Sequence, residues 1–133
     1  MKKTAIALLL ILIAAIPAFA DDAGVVIAGQ LQAQEPDGLM RLAFAGGVLL
    51  VPTRAYPVGH GLRCRIHARD VSLSLQEPHC SSTLNRLPAV VEAVSEGAAA
   101  GHLLVRVRCG ETPILARITE LEYTMLGGRM ARL

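Results

Sequence analysis

The sequence predicts a small, mainly β domain of short antiparallel strands, arranged in one or two small barrels, with one short helix near the C-terminus. Apolar and polar residues alternate in several short runs, with the period of two that a half-buried strand requires. Turns that contain glycine or proline separate these runs. A length of 133 residues allows one compact domain, or two very small ones that share a core.

The first half of the chain contains four strand-like runs. They cover residues 24–31, 39–45, 48–51 and 62–68. Gly46 and Gly47 separate the second run from the third and predict a tight hairpin, because both tolerate positive φ.

The alternation changes parity near Arg69 and Asp70 and resumes in residues 71–75, which predicts a bulge or kink. In the strand-like run before this parity change, every second residue is basic, which predicts that one face of the strand is exposed. These positions are Arg63, Arg65, His67 and Arg69.

The second half repeats the strand pattern and adds a helix. Strands are predicted at residues 90–94, 103–107 and 114–118. Residues 120–126 predict about two helical turns with Thr119 as the N-cap. Short strands, hairpin turns and one brief helix favour an OB-like barrel.

The N-terminal residues 1–20 have the pattern of a secretory signal peptide. Lys2 and Lys3 precede an uncharged apolar run at residues 5–16, and small residues stand at Ala18 and Ala20. The run is shorter than the roughly 20 residues of a membrane-spanning helix. We therefore expect a signal peptide at 1–20, an N-terminal β subdomain at 21–76 and an OB-type domain at 77–133, in an exported or periplasmic protein if the leader is cleaved.

Composition excludes several kinds of chemistry. The net charge is +2, and both lysines lie in the leader, so the remaining chain lacks the lysine of a phosphate-binding loop. Cys64, Cys80 and Cys109 show no paired spacing for zinc. No serine or cysteine lies in a recognisable catalytic motif. The sequence predicts no enzyme, no catalytic residue, no metal site and no cofactor.

The segment at residues 81–85 combines two serines, a threonine and an asparagine. Such neutral donors, with loop backbone N–H groups, can surround a tetrahedral oxyanion; an ordinary turn is the alternative. The basic run at residues 63–69 leaves a nucleic-acid-binding surface open as a further alternative, although few aromatic residues are present for base stacking.

Three segments in order, residues 65–73, 82–88 and 115–119, resemble the C-terminal region of the ATP-binding subunit of molybdate ABC transporters. That region is a TOBE, or molbindin-like (Mop), domain of the OB type. The resemblance implies an accessory or regulatory module for molybdate or tungstate without catalysis. The oxyanion-binding positions that it implies are Ser82, Leu84, Asn85, Ile118 and Thr119, where Leu84 could contribute only backbone.

The resemblance also has departures. No ATPase domain is present, and the sequence diverges from the family pattern after Thr119, so we expect a truncated or divergent domain with an open strand edge. Expected partners are the oxyanion, a second copy of the chain or ABC transporter components. The alternatives are a structural β interaction domain or a non-functional fragment, and a cytoplasmic location at the membrane through the transporter.

Overall fold

The structure, a computed structural model, describes residues 4–9, 23–77, 80 and 82–126, with residues 4–9 described by their backbone. In these ranges the chain forms nine strands, one turn of 3-10 helix at Ala68–Asp70 and one α-helix. The strands are β1 (Thr4–Leu9), β2 (Gly24–Gln34), β3 (Leu39–Phe44), β4 (Gly47–Pro52), β5 (Gly61–His67), β6 (Val71–Ser74), β7 (Asn85–Glu96), β8 (His102–Cys109) and β9 (Thr112–Thr119), and the helix is α1 (Glu120–Met125). The predicted mainly β class with one short helix is confirmed.

The first sheet has four antiparallel strands in the order β4-β3-β2-β5. Phe44 pairs with Gly47, which confirms the predicted hairpin at Gly46 and Gly47. A Cβ atom on Gly46 would lie 2.6 Å from the carbonyl oxygen of Cys109, closer than such contacts allow. Glycine therefore lets this turn pack directly against the end of β8.

The second sheet has five antiparallel strands in the order β6-β1-β7-β8-β9. Its edges are β6 and β9, so the described strands form two open sheets and no closed barrel. Short antiparallel strands in this arrangement are consistent with an OB-like fold. The predicted division into subdomains at residue 76 remains a prediction. In the structure, the chain passes from the first sheet to the second between β5 and β6.

One apolar core joins the two sheets. Buried residues alternate along β3, β4, β7, β8 and β9, while β2 and β5 bury fewer or successive positions and β6 contributes Val71 alone. The core comprises Ile27, Leu31, Met40, Leu42, Leu49, Val51, Cys64, Ile66, Val71, Leu87, Ala89, Val91, Val105, Val107, Cys109, Ile114, Ala116 and Ile118. Because both sheets contribute to one cluster, burial between them is the main stabilising term of the fold.

The parity change near Arg69 and Asp70 is real, and of the predicted bulge or kink the structure has the kink. The chain makes a single 3-10 turn at Ala68–Asp70 and passes from the first sheet into the second. Ala68 stays buried, and Val71 is buried at the start of β6. The apolar face reverses because the chain changes sheets.

The predicted basic face is interrupted, since His67 is only 6% exposed. Ile66, His67 and Ala68 are buried in succession at the point where β5 enters the 3-10 turn. Strict alternation ends there because the turn lies between the two sheets. The four basic residues therefore do not form one continuous exposed surface.

Strand β7 begins at Asn85, five residues before the predicted start at Val90. Asn85, Leu87 and Ala89 are buried, while Pro88 between them is exposed. The period of two is present here, but a polar residue and a proline in the run hide it in the sequence. Helix α1, with Thr119 as N-cap, agrees with the prediction. Among the described residues no helix has the length and apolarity needed to cross a membrane.

We predict that the three cysteines differ sharply in reactivity. Cys64 and Cys109 are buried and Cys80 is exposed. Since the thiolate is the reactive form, iodoacetamide at pH 8 should modify Cys80 rapidly in the folded protein and the other two thiols only in denaturant. Mass spectrometry of labelled peptides checks this, and Cys80→Ser should abolish the rapid phase. Rapid labelling of Cys109 in the folded protein would contradict the buried core.

The same burial predicts a loss of stability at high pH. Burial raises the pKa of Cys109 from 9.0 to about 11 and also raises the pKa of Cys64. Above pH 9 the unfolded chain loses these protons while the folded chain retains them. The stabilisation is therefore complete below pH 9 and is lost as the pH rises towards 11. Urea unfolding of the wild type and of Cys109→Ala between pH 8 and 11 should show a steeper decline in the wild type.

Candidate functional site

The implied oxyanion-binding residues lie in two places. Ser82 and Leu84 are exposed in the loop before β7, and Asn85 is buried at the first position of that strand. Ile118 and Thr119 are the last two residues of β9, with Ile118 in the core and Thr119 half-buried. Each group occupies the end of a strand in the five-stranded sheet.

The two groups lie at opposite ends of that sheet. Thr119 pairs with His102 at the start of β8, beside the end of β7 at Glu96. Asn85 is at the other end of β7, beyond the residues that pair with β8. The sheet is coiled, so that the turn at Ala68–Asp70 and strand β6 pack against β9. Val71, which lies in one row with Leu9 and Asn85 across the sheet, therefore lines the same groove as Ile118.

The side chain of Asn85 connects the two sheets. Its Oδ1 accepts a hydrogen bond from the backbone N–H of Leu50 at 2.7 Å, and its Nδ2 donates to the Leu50 carbonyl at 2.8 Å. Leu50 lies in β4, an edge strand of the first sheet. The amide thus takes the place of a neighbouring strand and satisfies backbone groups that an edge would leave open. Both polar atoms of Asn85 are engaged within the chain.

Thr119 has a comparable structural role at the other end. Its Oγ1 accepts a hydrogen bond from the Glu122 N–H at 3.0 Å, and its own N–H donates to Glu122 Oε2 at 2.9 Å. This reciprocal pair is a capping box, which satisfies backbone donors at the start of α1. The threonine hydroxyl can still donate its own proton to a ligand.

A groove of about 450 Å³ lies between the edge strands β6 and β9, beneath α1. Ile118 is the only implied site residue in its lining. The lining residues are Arg69, Val71, Ser72, Leu73, Arg117, Ile118, Glu122, Met125 and Leu126. Two guanidinium groups and one hydroxyl give this groove donors for an anion, while one carboxylate opposes an anion.

The sequence did not predict that Arg69 and Arg117 share this groove. Arg69 was assigned to the basic strand face, and Arg117 is an alternate position on β9. The 3-10 turn at Ala68–Asp70 packs against β9 and brings the two residues to one groove. No local pattern encodes a contact between segments so far apart in sequence.

One acidic residue pairs with two arginines on the outer face of the five-stranded sheet. Glu92 of β7 lies 3.3 Å from Nε of Arg106 and 3.2 Å from an Nη of Arg108 on the neighbouring strand. Both arginines point away from the core, because neither is buried. In the described part of the chain, no group of three or more His, Cys, Asp or Glu residues could hold a metal ion.

We predict that Asn85→Ala destabilises the protein by about 2–3 kcal/mol, because it leaves the Leu50 N–H and carbonyl without partners. Urea unfolding measures the change. Ser82→Ala, at an exposed position three residues away, is the matched control and should change stability by less than about 0.5 kcal/mol. Equal stability of the two variants would contradict the role of Asn85 as a connection between sheets.

We also predict that Thr119→Ala costs about 1 kcal/mol through loss of the helix cap, whereas Thr119→Ser retains a hydroxyl and most of the stability. Thermal unfolding of the three proteins checks this ranking. If Thr119→Ser unfolds at the same temperature as Thr119→Ala, the hydroxyl does not cap α1.

Comparison with known proteins relates these residues to a family. Residues 81–127 match the TOBE domain. The molybdenum import ATP-binding protein ModC 1 of Azotobacter vinelandii is 46% identical over 112 residues, which cover 83% of this chain and 31% of the relative. ModC of Pseudomonas fluorescens is 42% identical over 112 residues, 82% of this chain and 31% of the relative.

A third relative, ModC of Methylococcus capsulatus, is 43% identical over 108 residues, 80% of this chain and 30% of the relative. The chain spans about a third of the length of the curated relatives it matches. No solved structure shows significant similarity to it. The similarity therefore covers most of this chain and a minor part of each ATP-binding protein.

Proposed function

We propose that the chain is a non-catalytic accessory module related to molybdate ABC transport, because its residues 81–127 match the TOBE domain. The observation that carries the proposal is the similarity of most of the chain to three molybdenum import ATP-binding proteins. Because the chain covers only about a third of each ATP-binding relative, the similarity supports a binding or regulatory role and does not support ATP hydrolysis.

We further propose that the ligand is molybdate or tungstate, held by neutral hydrogen-bond donors. Ser82 is exposed at one end of the sheet, and Thr119 retains a hydroxyl proton at the other end. The loop before β7 also offers the backbone N–H group of Leu84. Hydrogen bonds from such donors stabilise a tetrahedral oxyanion without a metal or a base.

Because the side chains of Asn85 and Thr119 already have partners within the chain, a site between two chains is the arrangement that we favour. We propose that the Ser82 end of one chain meets the Thr119 end of another and that the oxyanion binds between them. Exposed apolar residues support contact at both ends: Leu84 is 60% exposed beside Ser82, and Leu121 is 70% exposed beside Thr119. Burying such side chains stabilises a contact between chains.

Location follows from the same relatives. ATP-binding proteins of import systems function where ATP is available. We therefore propose a cytoplasmic location at the transporter. The exported location expected from the leader has no support from these relatives. Transporter components and a second copy of the chain are the proposed partners.

A structural interaction module is the second candidate function. The observation that favours it is that the side chains of Asn85 and Thr119 already have partners within the chain. In that case the exposed apolar ends would associate without an anion.

Thermal unfolding of the full chain with and without excess molybdate tests the first candidate, with sulfate and phosphate as controls. A ligand at 100 times its Kd stabilises the native state by about 2.7 kcal/mol, which raises the midpoint by several degrees. We predict a rise that is larger with molybdate than with either control anion.

Two variants connect the rise to the proposed residues. Ser82→Ala should leave the midpoint without ligand unchanged and reduce the molybdate response, because Ser82 is exposed. Thr119→Ser is the control, since it keeps the hydroxyl and should retain both the helix cap and the molybdate response. An unchanged response in Ser82→Ala would exclude this residue, and no response in the folded wild type would leave the interaction module as the function.

A further inference from the structure

Strand β1 comes from the segment that has the pattern of a signal peptide. Thr4–Leu9 lies inside the five-stranded sheet and pairs antiparallel with a strand on each side. On one side Leu9 pairs with Val71 and Ile6 with Ser74; on the other side Leu9 pairs with Asn85. The segment is therefore a central strand and not an addition to an edge.

Two neighbouring strand segments depend on β1 for their pairing. Among the described strands, β6 pairs with β1 alone. The pairing of β7 with β8 begins at Val90, so residues 85–89 pair with β1 alone. Without β1, both segments would lose every strand partner that the structure gives them.

The gap left by β1 could not close without rearrangement. Neighbouring strands lie about 4.8 Å apart, so β6 and β7 are separated by roughly twice that distance across β1. Val71, Leu87 and Ala89 are buried beside this gap. Backbone N–H and carbonyl groups at buried positions require partners, and a missing strand would leave them unsatisfied.

The chemistry of the segment suits this position. The residues Thr-Ala-Ile-Ala-Leu-Leu carry no charge and no proline. A central strand disfavours proline, because its ring nitrogen cannot donate to the ladder, and it also disfavours charge. In β7, Pro88 pairs with Ile6 of β1. The carbonyl of Pro88 remains available as a hydrogen-bond acceptor.

We propose that the gap between β6 and β7 is a strand-acceptor site and that Thr4–Leu9 of the same chain is its occupant. The N-terminal segment is then part of the folded domain. Pairing on both sides withholds it from the export machinery, which requires an accessible, unfolded leader. Folding and export compete for the same six residues.

Hydrogen–deuterium exchange of the intact full chain tests this assignment, after mass spectrometry has verified that the N-terminus is present. We expect amides in residues 5–9 to exchange at least about 100-fold more slowly than in a free peptide of the same sequence. Exchange at the free-peptide rate in an otherwise folded chain would overturn the proposal.

Matched variants at Ala7 test whether the backbone hydrogen bonds of β1 cause the slow exchange. Ala7→Pro removes one N–H from the ladder, and it should raise exchange more than about tenfold in residues 71–74 and 85–89. Ala7→Gly removes the methyl group, keeps the N–H and should preserve the wild-type pattern. If Ala7→Pro does not fold, the exchange pattern of the unmodified chain still decides the proposal.

Light scattering on the same sample distinguishes the source of the strand. A monomer with protected residues 5–9 supports the occupant from the same chain. Protection that occurs only in a dimer, and disappears when the dimer is diluted to monomer, would assign the strand to a second copy and overturn the same-chain proposal.

Discussion

Backbone hydrogen bonding at the strand edges is the constraint on which this structure depends. Two open sheets share one core, so each sheet has edges that lie close to buried positions. At β4, the amide of Asn85 binds both backbone groups of Leu50. Between β6 and β7, a distant segment of the chain fills the sheet as β1. At the end of β9, Thr119 and Glu122 satisfy the first donors of α1.

These partners change how the implied oxyanion-binding residues are understood. Asn85 and Thr119 were assigned to a ligand by resemblance, and in the structure both connect elements of the fold. The two uses are compatible only in part, because Thr119 retains a donor proton and Asn85 has both polar atoms engaged. Ser82 and Leu84, in the loop before β7, are the exposed part of the implied site.

The sequence predicted most of the fold because its signals are local. Alternating burial identified the strands, Gly46 and Gly47 identified a hairpin, and Thr119 identified the start of α1. Three features were missed for physical reasons. Pro88 interrupted the apolar alternation in β7, although it points outward. The passage between sheets at Ala68–Asp70 had the same parity change as a bulge. The pairing of Thr4–Leu9 joins segments that lie far apart in the sequence, and no local pattern encodes such a pairing.

The candidate site was less predictable than the fold. Resemblance selected five residues, but it could not show that the side chains of Asn85 and Thr119 have partners within the chain. The groove that contains Arg69 and Arg117 likewise arises from packing between the 3-10 turn and β9. Residue types can indicate the chemistry of a site, whereas the tertiary fold decides which residues meet.

Sedimentation velocity over a range of protein concentrations tests most directly whether the oxyanion binds between two chains, as we propose. In the presence of molybdate, but not of sulfate, we predict that the chain shifts towards a larger species, because a ligand held at an interface favours association by mass action. Saturation of a chain that remains monomeric at every concentration would contradict the account and place the whole site within a single protomer.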